Sequence, residues 1–216
     1  MLKNSIIKNF QIQRQKKLID YYRELAEQLT VGELSADEFS AKQAKKHLWL
    51  ESLADYDSLI PGFYNQGGFN KTLDRTLSTL KRLDITGSLL FLDVDRLKRF
   101  NDKNGHPAGS ELLRIYGRVM EQEVRKSDLK GRVGGDEFAL FLVGADKEKA
   151  LMVAERIRSG IITEVEKIFP KLEWKQTISI GVSQVKENDT VESLLKRADQ
   201  ALYKAKEKRN RTEVFN

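Results

Sequence analysis

Apolar residues return along this chain in two periods, one helical and one strand-like. Ile6, Phe10, Leu18, Tyr21, Tyr22, Leu25 and Leu29 recur every few positions between charged residues, which predicts a helix over 1–29. Val31-Gly32 interrupts it. Ser35-Ala-Asp-Glu38 then has the form of a capping box and opens a second helix through Phe39, Ala44, Leu48 and Leu50 towards Leu53. Pro61-Gly62 and Gly67-Gly68 mark 55–69 as loop. From Phe69, a helix carries Leu73, Leu77, Leu80 and Leu83 on one face. Further helices are predicted over 111–123, with Leu112, Leu113, Tyr116, Val119 and Met120 inward, and over 147–168 and 191–208. Short apolar runs between them read as strands: one after Gly87, one over Phe138–Val143, one over Gln176–Ser183, and a last edge strand over 212–215. This alternation, with one Gly-Gly hairpin, describes a mixed α/β chain.

Two of these strands carry acids where they meet loops. Ser88-Leu-Leu-Phe-Leu92 runs into Asp93-Val94-Asp95. Val133 leads into Gly134-Gly135, a dipeptide that tolerates positive φ and suits a two-residue hairpin turn, and Asp136 and Glu137 follow. Unpaired charges beside a core are costly, so a metal ion is their natural partner. Asp93 and Asp136 could meet around Mg²⁺, which takes oxygen ligands and shares them with substrate phosphates. That donor set suits two-metal phosphoryl or nucleotidyl transfer.

Arg132-Val-Gly-Gly-Asp-Glu-Phe138 resembles the signature of the GGDEF family, the diguanylate cyclases, which condense two GTP into cyclic di-GMP. Other blocks follow in the family's order. Asp93-Val-Asp-Arg-Leu-Lys98, with Asn101, Gly105-His106 and Gly109-Ser110, is similar to D-x-D-x-F-K-x-I-N-D-x-x-G-H-x-x-G-D. Thr177-Ile-Ser-Ile-Gly-Val182 is similar to T-x-S-x-G-V, and Ala198-Asp-Gln-Ala-Leu-Tyr-Lys-Ala-Lys206 to A-D-x-A-L-Y-x-A-K. The resemblance covers roughly Leu53 to Asn216. It implies a ferredoxin-like, nucleotidyl cyclase-like palm over 53–216, preceded by a helical extension over 1–52. That extension is either a hairpin packed on the domain or a dimerising, signal-relaying stalk.

The resemblance also implies roles. Asp136 and Glu137 would be catalytic. Asp93, Asp136 and the Val94 carbonyl would hold Mg²⁺, with Mn²⁺ as the alternative ion. The backbone at Arg96 and Leu97, the turn Gly134-Gly135, Lys98 and Lys206 would contact substrate phosphates. Asn101, His106 and Ser110 would lie in the nucleotide pocket. Arg125 and Asp128 form the family's R-x-x-D, where cyclic di-GMP binds as product and inhibitor; a surface ion pair is the plainer reading.

Three departures matter. Where the family has an Asp to accept from the guanine edge, this chain has Ser110, short and neutral. Serine there is either a helix cap or a site that admits ATP beside GTP, as in the hybrid promiscuous cyclases that also make cyclic GMP–AMP. Where the family has Arg one turn after the Lys, this chain has Asn210 between Arg209 and Arg211, either of which could reach phosphate. The loop before Phe69 keeps Gly62 and Asn65 but not the family's Thr and Arg.

Composition narrows the rest. The chain of 216 residues has no cysteine, so thiol and disulfide chemistry are excluded. Its net charge is +6 and its pI about 9.3, but basic and acidic residues interleave, as on a solvated surface rather than a nucleic-acid face. No run has the length of a membrane span and the start lacks a signal-peptide pattern, so a cytoplasmic protein is expected. One signature per chain and two linkages per product call for a two-fold homodimer. A catalytically silent nucleotide receptor and a basic scaffold or nucleic-acid module remain as alternatives.

Overall fold

The computed structural model describes residues 23–24, 27–28, 32–33, 35–43 and 54–215. The predicted helix over 1–29 and most of the second helix lie outside the described residues or are described only at isolated positions. Contacts divide the chain into two units, Met1–Ala54 and Asp55–Asn216. In the first, 36–43 is helical. The expected capping box opens it: the Ser35 amide donates to Glu38 Oε2 at 2.9 Å and the Glu38 amide to Ser35 Oγ at 3.3 Å.

The second unit runs α1 (Gln66–Leu83), β1 (Gly87–Val94), α2 (Leu97–Glu123), β2 (Leu129–Arg132), β3 (Glu137–Val143), α3 (Lys147–Ile168), β4 (Ile178–Gln184), α4 (Val191–Lys208) and β5 (Thr212–Val214). Its five strands form one sheet in the order β2-β3-β1-β4-β5. Only β4–β5 is a parallel pair. The β1–α2–β2–β3–α3–β4 succession with this order is the ferredoxin-like palm, extended by α1, α4 and β5.

The strands are apolar on both faces because both faces are covered. Leu90, Leu92 and Val94 of β1 join Phe138, Leu140 and Leu142 of β3 against α2 and α3. The alternate residues Leu89, Ala139 and Phe141 meet Phe69, Leu73, Leu77 and Leu80 of α1 and Leu194 and Ala198 of α4. On β4 that second face carries Gly181. A Cβ there would lie 2.1 Å from the Ala198 carbonyl oxygen, so α4 reaches the sheet only because glycine is present.

Two local expectations are corrected. Gly67-Gly68 is not loop but the first turn of α1, whose N-cap Asn65 accepts from the Gly68 amide at 3.0 Å. Leu83 is 56% exposed rather than inward, because the helix ends at Asp84 in the left-handed region, past the buried stripe.

Candidate active site at the end of β1

Asp93 closes the apolar run of β1 opposite Glu137 on β3 and Ser179 on β4. The Val94 amide donates to the Asp136 carbonyl at 3.0 Å, which draws the turn after β2 against the end of β1. Asp93 is 8% exposed. Burial pushes its carboxyl up to about 6, Lys206 opposes that, and the neighbouring charges of Asp136 and Glu137 add to it. The Lys206 Nζ lies 2.7 Å from Asp93 Oδ2. Burial works to lower the Lys206 ammonium, but Asp93, Glu137 and Asp136 outweigh it and hold it above its ordinary value.

The turn differs from its expected form. Four residues, 133–136, connect the strands, and the amides of Val133 and Gly134 both donate to the Glu137 carbonyl, at 3.0 and 3.2 Å. Neither Gly134 nor Gly135 has positive φ. What Gly134 supplies is room: a Cβ there would lie 2.4 Å from Glu137 Oε2, while one at Gly135 would meet no atom of the described residues within 4 Å. Arg132 braces the turn, donating to the Gly135 carbonyl at 2.7 Å and pairing with Asp57 at 3.3 Å.

Beyond β1 the chain turns through Arg96, which is left-handed at φ 58, ψ 29, an uncommon and strained conformation for a residue with a Cβ. Helix α2 starts there with no side-chain cap, which leaves its first amides without a capping partner among the described residues, as an anion site requires. Leu97 is buried and Lys98 exposed. Gly105, at φ 83 and ψ 158, breaks α2 into two helical segments. The break lets Asn101 fold against Gly109, with Asn101 Oδ1 buried and lacking a hydrogen-bond donor among the described residues. Ser110, next to Gly109, is one turn inside the second segment and is not its N-cap, so the capping explanation of this serine falls. His106 is exposed at the break.

On the C-terminal side, Asn210 occupies the position of the family's Arg and is tied inward: its amide donates to Asp95 Oδ2 at 3.0 Å, and its side-chain oxygen accepts from Arg158 at 2.9 Å. Arg209 is exposed and forms no ion pair with a described residue. Arg211 Nε is 2.9 Å from Glu213 Oε1, yet misaligned for a hydrogen bond.

Sequence reasoning gave Asp95 no role. It is 4% exposed, accepts from Thr177 Oγ at 2.7 Å, Ser179 Oγ at 2.8 Å and the Asn210 amide, and so joins β1, β4 and the chain after α4. Its place beside Asp93 was the available signal; its partners lie more than eighty residues away.

Arg125 and Asp128 lie elsewhere. Arg125 is exposed, and Asp128 accepts from the Arg125 amide at 2.8 Å and the Val143 amide at 3.0 Å. Val143 is at the opposite end of β3 from Glu137, about 20 Å away at the rise of a strand. Instead of an ion pair between the two side chains, the Asp carboxylate orders the backbone and leaves the Arg side chain outward.

Among the described residues, no group of three or more His, Cys, Asp or Glu side chains is arranged to cage a metal. Mg²⁺ does not need one, since it draws ligands from one or two carboxylates, phosphates and water. The donor chemistry fits. Asp93 pairs with Lys206, and burial first, then the nearby charges of Asp136 and Glu137, raise its carboxyl.

The family model described as "Diguanylate cyclase, GGDEF domain" matches residues 54–212. The chain is 42% identical over 119 residues to Diguanylate cyclase DgcM of Escherichia coli (strain K12), covering 55% of the chain and 28% of that protein. It is 33% identical over 177 residues to Probable diguanylate cyclase DgcC of the same strain, covering 81% and 47%. It thus spans less than half the length of these curated relatives. Its fold is similar to the coiled coil and GGDEF domain of DgcB from Caulobacter crescentus, solved in complex with c-di-GMP. The TM-score is 0.75 and the identity 27%, over 87% of this chain and 100% of that one.

Proposed function

The chain belongs to the GGDEF family, and from that premise we propose that it is a cyclic-dinucleotide synthase, joining two GTP into cyclic di-GMP with release of pyrophosphate. What carries this is the junction at the end of β1, where buried Asp93 meets Lys206 at 2.7 Å and the Asp136 turn is hydrogen-bonded to Val94.

Each chain contributes a half-site. The free amides after Arg96, the Lys98 and Lys206 ammoniums and an arginine at 209 or 211 receive the triphosphate. Asn101, with its unpartnered buried Oδ1, accepts from the base edge. His106 flanks the same pocket. The 3′-oxygen of one nucleotide bonds to the α-phosphorus of the other, the bond from that phosphorus to the bridging oxygen breaks, and pyrophosphate leaves. Glu137 takes the hydroxyl proton. Asp93, Asp136 and the Val94 carbonyl would hold Mg²⁺, or Mn²⁺ in its place, which supplies charge neutralisation at the phosphates. The chain's own part is positioning and electrostatics. Two linkages per product need a homodimer, and residues 1–52 are the lever for forming it.

Ser110 widens the base choice. A neutral hydroxyl both donates and accepts, so ATP is admitted beside GTP and the mixed cyclic GMP–AMP is made. Its place inside the helical segment, rather than at its cap, favours this role. At the far end of β3, Arg125 and Asp128 bind cyclic di-GMP and lower turnover.

The test is a product assay on the whole chain with Mg²⁺ and GTP, ATP or an equal mixture, read by mass. Cyclic di-GMP from GTP and a mixed product from the mixture are expected. Cyclic di-GMP alone from the mixture would remove the Ser110 proposal. No cyclic product under any condition would overturn the synthase.

A further inference from the structure

We infer that Gln176, oriented by Trp174, is a positioning residue for the substrate triphosphate. This rests on the synthase reading and names a residue that the family's motifs leave out. Strand alternation sets the geometry. At the end of β1 the Val94 amide points to β3, donating to the Asp136 carbonyl. The next residue points the other way: the Asp95 amide donates to the Thr177 carbonyl at 2.9 Å, and the Asp95 carbonyl accepts from Gln176 Nε2. A trans peptide holds its C=O and N–H on opposite sides. Fixing the Asp95 carbonyl towards β4 therefore aims the Arg96 N–H back towards the turn at 133–136.

Arg96 needs such a hold because its left-handed φ of 58 is strained. Gln176 is 2% exposed, so its amide must satisfy both ends inside the protein. Trp174 decides which end faces Asp95. Its indole N–H can only donate, and it donates to Gln176 Oε1 at 3.0 Å, which leaves Nε2 for the Asp95 carbonyl. The same indole supports the start of α2: the Arg99 guanidinium lies 4.3 Å from the ring centroid. One aromatic side chain thus sets the peptide plane before Arg96 and steadies the helix after it.

The experiment measures binding of a non-hydrolysable GTP analogue and of guanosine to the full chain, with steady-state kinetics beside them. Gln176→Leu removes both hydrogen bonds. It is expected to weaken the analogue and raise the KM for GTP about tenfold, the scale of one lost hydrogen bond to a charged group, with guanosine binding and kcat little changed. Trp174→Phe loses the N–H while leaving an aromatic ring for Arg99. It should move the same two quantities in the same direction, less far, and it guards against Gln176→Leu failing to fold. Unchanged analogue affinity in folded variants, or equal losses for guanosine, overturns the inference while leaving the synthase standing. A wild-type chain that binds no analogue overturns the synthase reading itself, and the inference with it.

Discussion

Lys206, in the last turn of α4, sets its ammonium 2.7 Å from the Asp93 carboxylate at the end of β1. The pair is lopsided: Asp93 is buried among other acids that disfavour its charge, and Lys206 is favoured in its charged form by all of them. Negative charge at this junction therefore exceeds what the protein alone compensates.

Asp93→Asn relieves that excess. Product formation is expected to fall at least about a hundredfold, the scale for loss of a group that stabilises transition-state charge. The thermal midpoint at pH 7 should hold or rise by a few degrees, about what relief of 1 kcal/mol gives a domain of this size. Mg²⁺ added with a GTP analogue should raise the midpoint of the wild type and not of the variant. Scanning fluorimetry reads both, and a clear drop in the variant's midpoint would show that the Lys206 pair outweighs the burial.

Ser110→Asp restores an anionic acceptor for the two guanine donors that adenine lacks. From equal GTP and ATP, the mixed product's share should fall about tenfold or more while cyclic di-GMP persists. Mass analysis of the products decides it, and an unchanged ratio removes Ser110 from the base pocket.

Arg125 and Asp128 differ as test sites. Asp128 satisfies two backbone amides, so Asp128→Ala should cost about 1–3 kcal/mol of stability as well as any inhibition. Arg125→Ala touches only the exposed side chain and should leave urea unfolding unchanged while raising the cyclic di-GMP concentration needed for half inhibition. Inhibition curves that superimpose on the wild type would rule out the proposed product site.

Gly181→Ala forces a methyl into backbone atoms of α4, 2.1 Å from the Ala198 carbonyl and 2.3 Å from the Leu202 amide. Backbone cannot rotate away as a side chain can, so a loss of about 2–3 kcal/mol is expected in urea unfolding. Because α4 carries Lys206, the KM for GTP should rise as well.

Asp189 gives the chain an acid-sensitive clasp. Arg197 grips both its oxygens at 2.5 Å, and the Lys186 amide and Ser193 hydroxyl donate to it at 2.7 and 2.8 Å. Burial pushes its carboxyl up, but these donors outweigh burial and hold it below the ordinary 3.8. A depressed folded-state value means stability that is present above pH about 4 and lost as pH falls through the folded value. Asp189→Asn should therefore be about 1–3 kcal/mol less stable than wild type at pH 7 and converge on it once pH has fallen through the depressed folded-state value. Urea midpoints against pH test this.

Local pattern alone was enough for most of the regular elements, though not for the first segment of α2, which begins at Leu97 rather than near Glu111, nor for the short strand β2. The helices at Lys147–Ile168 and Val191–Lys208 lie where periodicity predicted, as does the start of β1 at Gly87, because burying one helical face or both strand faces leaves a repeat that neighbouring residues record. The ordered motif blocks likewise carried the family, and with it the expectation that Asp93 and Asp136 hold metal while Lys206 grips phosphate. Other features had no such record. The Gly134-Gly135 turn is wider than its dipeptide suggested, and Gly134 leaves room for the Glu137 carboxylate. Asp95, Gln176 and Asn210 form one buried network from three distant parts of the chain. A buried charge or amide is tolerable only where donors and acceptors from other elements complete it, and which elements those are is settled when the sheet and its helices close together, not by any stretch of sequence read by itself.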